Sequence, residues 1–190
     1  NLEVALWVQE LSPDGLTLVG EPVKLITRDQ PWERPLIENP AMVEHNDKYY
    51  LFYSANWWES HEYAIGYAVC ETVTGPCEKP LNGPWLDYEA PVMGPGGQML
   101  VEGPDGGWWI VYHAWDSGLI GDSIGGRRSL WIAEGIDLGQ VVPANQPVTL
   151  RIRWSGALLS PAAPTASSTP RPPRPAAPSR SSAPVGRPRR

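Results

Sequence analysis

The sequence lacks helical patterns and long hydrophobic runs. No window places apolar residues at the 3.6-residue spacing of an amphipathic helix, which excludes a mainly helical fold. No stretch approaches the roughly 20 apolar residues of a membrane-spanning helix, so no membrane span is predicted. The chain starts at Asn1, in what reads as the middle of a strand, and shows no signal peptide; an upstream segment is therefore compatible with it.

Cysteine is scarce, with only two in 190 residues. Cys70 and Cys77 flank the turn-like sequence Glu-Thr-Val-Thr-Gly-Pro, and neither sits in a metal-binding or nucleophile pattern. A disulfide between them is the favoured prediction, and it would indicate an oxidising compartment. Two free thiols are the alternative.

Acidic and large aromatic side chains are absent from the end of the chain. All 21 acidic residues and all ten Trp precede Ser155, and nine Lys and Arg leave residues 1–154 with a net charge of −12. Residues 155–190 consist mostly of Pro, Ala, Ser and Arg and carry a charge of +6. We expect a folded region over 1–154 and a disordered tail over 155–190. The acidic folded region argues against a nucleic-acid partner.

Phenylalanine is almost missing, whereas tryptophan and tyrosine are abundant. Ten Trp and seven Tyr stand against one Phe. Packing in a β-rich core explains most of them, because aromatic residues favour strands. Sugar binding is the second interpretation, since Trp and Tyr combine a flat apolar face with a polar edge.

An internal repeat organises the β-rich part of the chain. Residues 48–55, with the sequence KYYLFYSA, align with residues 107–114, with the sequence GWWIVYHA. Each copy follows a polar turn and precedes a further strand, at residues 64–69 and 129–133. A plain β-sandwich is the alternative, but matched aromatic positions favour the four-stranded blades of a propeller.

The repeat predicts where the blades begin and end. Residues 35–79 form one blade, residues 92–138 form the next, and residues 1–30 supply outer strands of an earlier blade. The predicted fold is therefore all-β, a partial propeller of about two and a half to three blades.

Four sequence runs, in order along the chain, carry a family resemblance. They are Ile37-Glu38-Asn39-Pro40-Ala41-Met42 with Asp47 to Ser54 after it, Tyr63 to Ala68, Gly94 to Gln98 with Trp108 to Trp115 after it, and Gly126 to Ile132. Together they resemble family 43 glycoside hydrolases, which are five-bladed β-propellers, and they cover the C-terminal portion of such an enzyme. The resemblance implies an extracellular enzyme that hydrolyses arabinose- or xylose-containing plant cell-wall polysaccharides with inversion.

Glu38 matches the general acid of this family. Its apolar neighbours Leu36, Ile37 and Pro40 would disfavour the ionised form, as a general acid requires. An inverting reaction also needs a second carboxylate, roughly 6.5–9.5 Å away, to activate water. The resemblance places that base in earlier blades. We therefore expect the chain to be a fragment with little hydrolase activity by itself.

Four further residues are predicted to contact substrate. Arg127 resembles a substrate-binding arginine of the last blade and is preferred over its neighbour Arg128, because adjacent strand residues face opposite ways. Trp57 and Trp58 follow an aromatic strand and are candidates for a sugar-stacking rim. Gln98 is a candidate polar group near the propeller axis.

No cofactor is predicted with certainty. Many family members hold a central calcium ion through the His of a Gly-x-Gly-His run, but Gly97 stands at that position here, which counts against a metal site. His113 lies on an aromatic strand and is interpreted as a core residue, since one His does not make a metal site. A non-catalytic carbohydrate-binding propeller and a structural β-repeat protein remain alternatives to the enzyme.

Overall fold

The computed structural model describes residues 3–104, 106–116, 118–136 and residue 138. This part of the chain is all-β, as predicted, with short 3-10 turns at Pro31–Glu33 and Asp122–Ile124 and no α-helix. The predicted tail, 155–190, lies outside the described residues. The strands are β1 (Ala5–Leu11), β2 (Leu18–Thr27), β3 (Ile37–His45), β4 (Lys48–Ala55), β5 (Ala64–Cys70), β6 (Cys77–Glu78), β7 (Val92–Glu102), β8 (Trp108–Asp116) and β9 (Arg128–Ile136).

The strands form three antiparallel sheets in sequence order. The sheets are β1-β2, β3-β4-β5-β6 and β7-β8-β9. This up-and-down order is that of propeller blades. The two larger sheets fall within the predicted blades 35–79 and 92–138, and the two-stranded sheet falls within 1–30. The repeat therefore predicted the blade divisions correctly.

Strand β4 joins two hydrophobic cores because successive side chains of a strand point to opposite faces. Tyr50 and Phe52 pack toward the β7-β8-β9 sheet, in a core that includes Ile110 and Tyr112. Leu51 and Tyr53 pack in the other direction, in the core shared with the β1-β2 sheet. Aromatic residues on both faces of one strand thus hold the three sheets together.

A buried ionic cluster fixes the connection between β2 and β3. Glu33 is fully buried and accepts hydrogen bonds from Tyr53 Oη at 2.7 Å and from Lys79 Nζ at 2.6 Å. The same Lys79 donates to the carbonyl of Thr27 at 2.6 Å and to Asp29 at 2.7 Å. The cluster anchors the segment that leads into β3.

The predicted disulfide is present between Cys70 and Cys77. It joins paired positions of β5 and β6, with Cα atoms 3.9 Å apart. None of the helical turns in the described part of the chain has the length and apolar character of a membrane span.

Candidate active site

Glu38 lies at the start of β3, where the strand departs from regular pairing. Its backbone pairs with Ser54 of β4, and a β-bulge separates this pair from the next one, Ala41 with Phe52. Asn39, inside the bulge, has a φ of 51°, a left-handed conformation that asparagine tolerates better than most residues. Bulges re-aim side chains at functional sites. Here the bulge leaves Glu38 half-buried.

Tyr63 holds the carboxyl group of Glu38. Its hydroxyl donates to Oε1 of Glu38 at 2.8 Å, and Nδ2 of Asn39 donates to the Tyr63 oxygen at 3.2 Å. Tyr63 is 1% exposed, and burial raises the pKa of its hydroxyl, so this group keeps its proton in neutral solution. The carboxyl group therefore has one oxygen tied to a permanent donor.

A buried polar bridge lies behind Glu38 and connects the two larger sheets. Ser54 Oγ donates to Oε1 of Gln98 at 2.7 Å and accepts from the amide of Gly97 at 2.9 Å. Nε2 of Gln98 donates to the carbonyl of Asn39 at 2.8 Å. Gln98 is 4% exposed and both ends of its amide are used within the protein. A substrate contact by Gln98 stays a prediction.

His113 of β8 packs against the ring of Tyr63. Their rings are nearly parallel, with centroids 6.1 Å apart. Gly96 and Gly97 make this stack possible, because a Cβ at either position would overlap the ring of Tyr63 or His113 respectively. Burial, and then the charge of Arg128, lowers the pKa of His113, whereas Glu38 acts in the opposite direction. His113 thus lies within electrostatic range of both charged groups.

The residues around Gly97 do not match a calcium site. Calcium takes six to eight oxygen ligands. The amide oxygen of Gln98 is engaged by Ser54, and Gly97, at the position of the expected His, has no side chain. Among the described residues no group of three His, Cys, Asp or Glu is placed to hold a metal ion. This donor set therefore does not fit the calcium ion that many family members hold.

Trp57 and Trp58, which follow β4, form an aromatic pair that we call the rim. Trp57 is 44% exposed, and its ring lies 5.6 Å from that of the half-buried Trp58. Nε1 of Trp115 donates to the carbonyl of Trp58 at 2.8 Å. The structure therefore brings the two predicted tryptophans together and supports one of them from the neighbouring sheet.

Arg128, rather than Arg127, contacts this rim. Its guanidinium carbon lies 5.3 Å from the ring centroid of Trp58 and 4.9 Å from that of Trp115. Asp122 lies 3.4 Å from the guanidinium. Arg127 is exposed, and its carbonyl accepts a hydrogen bond from the amide of Asp116. A role of Arg127 in substrate binding stays a prediction.

Asp14 and Asp29, two acidic residues outside the Glu38 cluster, make local contacts. Asp14 accepts hydrogen bonds from Ser12 and from the amide of Leu16 within the β1-β2 turn, and these bonds lower its pKa. Asp29 is paired with Lys79. Both carboxylates are thus engaged in local contacts.

Sequence reasoning missed the residues that support Glu38. Tyr63 stands at the start of one of the resemblance runs, but nothing in its neighbourhood predicts a bond to a residue 25 positions earlier. The contacts of Ser54 and Asn39 likewise depend on the bulge in β3 and on bonds to Gln98 of the neighbouring sheet. A register prediction for β3 and β4 could have found Ser54, because it is the backbone partner of Glu38.

Comparison with known proteins supports the family resemblance of the sequence independently. Residues 2–134 match the family model described as glycosyl hydrolases family 43. A β-D-galactofuranosidase, xynD, of Aspergillus niger is 29% identical over 110 residues, which is 56% of this chain and 29% of that protein.

Solved structures share the fold. A thermostable family-43 glycoside hydrolase is 35% identical with a TM-score of 0.64, covering 74% of this chain and 47% of that one. An endo-1,4-β-xylanase from Bacteroides thetaiotaomicron is 29% identical, also with a TM-score of 0.64, covering 73% and 49%. The chain thus spans about half the length of these structures and under a third of the curated relative.

Proposed function

Because the chain belongs to family 43 of the glycosyl hydrolases, we propose that it takes part in hydrolysis of O-glycosidic bonds in xylose- or arabinose-containing polysaccharides, with Glu38 as the general acid. The observation that carries this proposal is the setting of Glu38. It is a half-buried carboxyl group on a β-bulge, held through one oxygen by Tyr63. Similarity to an endo-1,4-β-xylanase supports the xylose-containing substrate.

In the proposed step Glu38 gives its proton to the glycosidic oxygen as the bond from this oxygen to the anomeric carbon breaks. Water attacks the anomeric carbon from the opposite face, and a base carboxylate takes its proton, so the configuration inverts. Glu38 then recovers a proton from solvent. Substrate stacks on Trp57 and Trp58, with Arg128 beside them to donate to a sugar hydroxyl.

We propose that the base carboxylate comes from outside this chain. The matched part of the chain covers only about half of each solved relative, 47% and 49%, which leaves room for further blades. Among the described residues, Asp29 and Glu33 are committed to Lys79, and Asp14 lies in a turn. The chain alone then supplies acid catalysis and sugar contacts, and hydrolysis by it alone is weak.

Azide offers a direct test, because this anion attacks the anomeric carbon without a base. We would incubate the chain with alkyl β-xylosides and α-arabinofuranosides, whose poor leaving groups require an acid, with and without azide. The expected product is the glycosyl azide of inverted configuration, at a rate that Glu38→Gln lowers about 100-fold or more. Glu44→Gln, an exposed position on the same strand, is the matched control.

Two results would contradict the proposal. Equal azide product from Glu38→Gln and the unmodified chain would remove Glu38 as the acid. Efficient hydrolysis without azide would show that the chain contains its own base.

A non-catalytic carbohydrate-binding propeller is the second candidate. The half-length match and the commitment of Asp29 and Glu33 to Lys79 favour it. Binding of xylo- or arabino-oligosaccharides would be measured by the chemical shift changes of the Trp indoles. Binding without any azide product would favour this function over the enzyme.

An extracellular location is also proposed. The Cys70–Cys77 disulfide supports it, because disulfides persist mainly in oxidising compartments.

A further inference from the structure

The hydrogen bonds around Glu38 form one chain of donors and acceptors whose direction can be worked out from its fixed ends. A backbone carbonyl only accepts and a backbone amide only donates. The carbonyl of Asn39 faces Nε2 of Gln98, so Oε1 of Gln98 faces Ser54. The amide of Gly97 donates to Ser54 Oγ, so Ser54 spends its single proton on Gln98.

This commitment leaves the Tyr63 proton for Glu38. Ser54 has no second proton to donate to Tyr63, since its single proton goes to Gln98. The Tyr63 oxygen receives Nδ2 of Asn39, and its proton points to Oε1 of Glu38 at 2.8 Å. The stack on His113 and the close approach of Gly96 hold the Tyr63 ring in place.

We propose that Tyr63 is a positioning residue whose hydroxyl occupies Oε1 of Glu38, so that the transferable proton of Glu38 resides on Oε2. A carboxyl oxygen that accepts a hydrogen bond from a permanent donor acts as the carbonyl oxygen of the protonated acid. The proton is thereby confined to the other oxygen, which is free to meet the glycosidic oxygen. This inference rests on the proposed role of Glu38 as the acid.

Two groups from other elements interact with this carboxyl group. Tyr63 precedes β5, and His113, whose pKa responds to the charge of Glu38, lies on β8. Tyr63 is the one that contacts Glu38 directly. Because a hydrogen bond to an ionised oxygen is stronger than one to a neutral oxygen, losing it disfavours the carboxylate.

The test follows the protonation of Glu38 directly, without any catalysis. In the full chain labelled with ¹³C at glutamate side-chain carboxyls and tyrosine Cζ, Glu38 is assigned with Glu38→Gln and titrated by NMR. In Tyr63→Phe the pH at which Glu38 ionises should move up by about one unit, which is a tenfold change in proton affinity. Tyr112→Phe is the matched control, since Tyr112 is equally buried and its hydroxyl has no partner among the described residues.

A second measurement is made on the unmodified chain. Here the Tyr63 Cζ resonance should change with the same midpoint as the Glu38 carboxyl, because the two groups share a hydrogen bond. An unshifted midpoint in Tyr63→Phe, or a Tyr63 resonance that ignores Glu38, would overturn the assignment.

The result is separable from the proposed function. If the Glu38 midpoint moves and no azide product forms with any variant, the contact stands and the hydrolase proposal fails. If azide product forms but Tyr63→Phe leaves the midpoint unchanged, the acid stands and the positioning role of Tyr63 fails.

Discussion

Lys79 Nζ lies 2.6 Å from Oε1 of Glu33, a carboxylate with no exposed surface. The pair connects the segment ahead of β3 to the chain that follows β6, and Glu38 is the second residue of β3. Tyr53 adds its hydroxyl to the same oxygen, and burial, followed by Glu33, raises the pKa of this tyrosine. A buried ion pair thus anchors the segment that leads to the proposed acid.

Breaking this pair on one side should destabilise the fold strongly. Lys79→Met leaves the Glu33 charge buried without its partner, and we expect a loss of about 3–5 kcal/mol in the free energy of unfolding, measured in urea. Lys24→Met removes an exposed pair with Glu3, whose side chains are 40% and 56% exposed, and should cost about 0–1 kcal/mol. Equal losses in the two variants would show that the Glu33 site is well solvated.

Some of this structure follows from sequence patterns, and some does not. The aromatic repeat predicted β4 and β8 because a blade's central strand is buried on both faces. The bulge at Asn39 could not be predicted in this way, since any β-branched or polar sequence can carry an extra residue. Which of Arg127 and Arg128 faces the site depends on the register of β9. A shift of this register by one residue moves every side chain to the opposite face.

Contacts between sheets were the least predictable feature. Ser54 of β4 and Gln98 of β7 lie in adjacent sheets and are 44 positions apart. No periodicity links such pairs, because the angle between adjacent blades decides which side chains meet. The candidate acid was therefore found through its resemblance run, and its supporting residues only through the fold.

Gly96 should be intolerant of a side chain because its neighbour is a ring. A Cβ at Gly96 would overlap Tyr63, so Gly96→Ala must displace the residue that holds Glu38. We expect a loss of about 1–3 kcal/mol in urea unfolding, as for other overpacked cores. At Gly83 no atom lies within 4 Å of the place that a Cβ would take, so Gly83→Ala should be neutral or slightly stabilising. Similar losses at both glycines would argue against tight packing on Tyr63.

The disulfide closes a short loop, so its contribution should be moderate. Cys70 and Cys77 are seven positions apart, and loop-closure entropy predicts about 2 kcal/mol. The double variant Cys70→Ala/Cys77→Ala should lose this amount, and dithiothreitol should destabilise the unmodified chain but not the variant. Thiol titration of the unfolded, unreduced chain should find no free cysteine; two reactive thiols would refute the bond.

Stability should fall in mild acid because of His113. Burial, and then Arg128, lowers the pKa of His113 from its ordinary value of 6.5. As the pH falls through 6.5 the unfolded chain takes up a proton that the folded chain does not, so the free energy of unfolding decreases. Urea titrations at several pH values should give a smaller slope for His113→Gln. His61→Gln, at an exposed histidine, should keep the original slope.

The two adjacent arginines can be separated by changing each to lysine. Arg128 stacks on Trp58 and Trp115 through a planar guanidinium, and an ammonium group cannot reproduce this contact. We expect Arg128→Lys to weaken xylo-oligosaccharide binding about tenfold, measured by calorimetry, and to change Trp fluorescence even without sugar. Arg127→Lys should leave both readings unchanged, because among the described residues Arg127 makes its contact through its backbone carbonyl and stacks on neither ring. If Arg127→Lys weakened binding instead, the sugar would contact the opposite face of β9, and the rim of Trp57 and Trp58 would lose its proposed role.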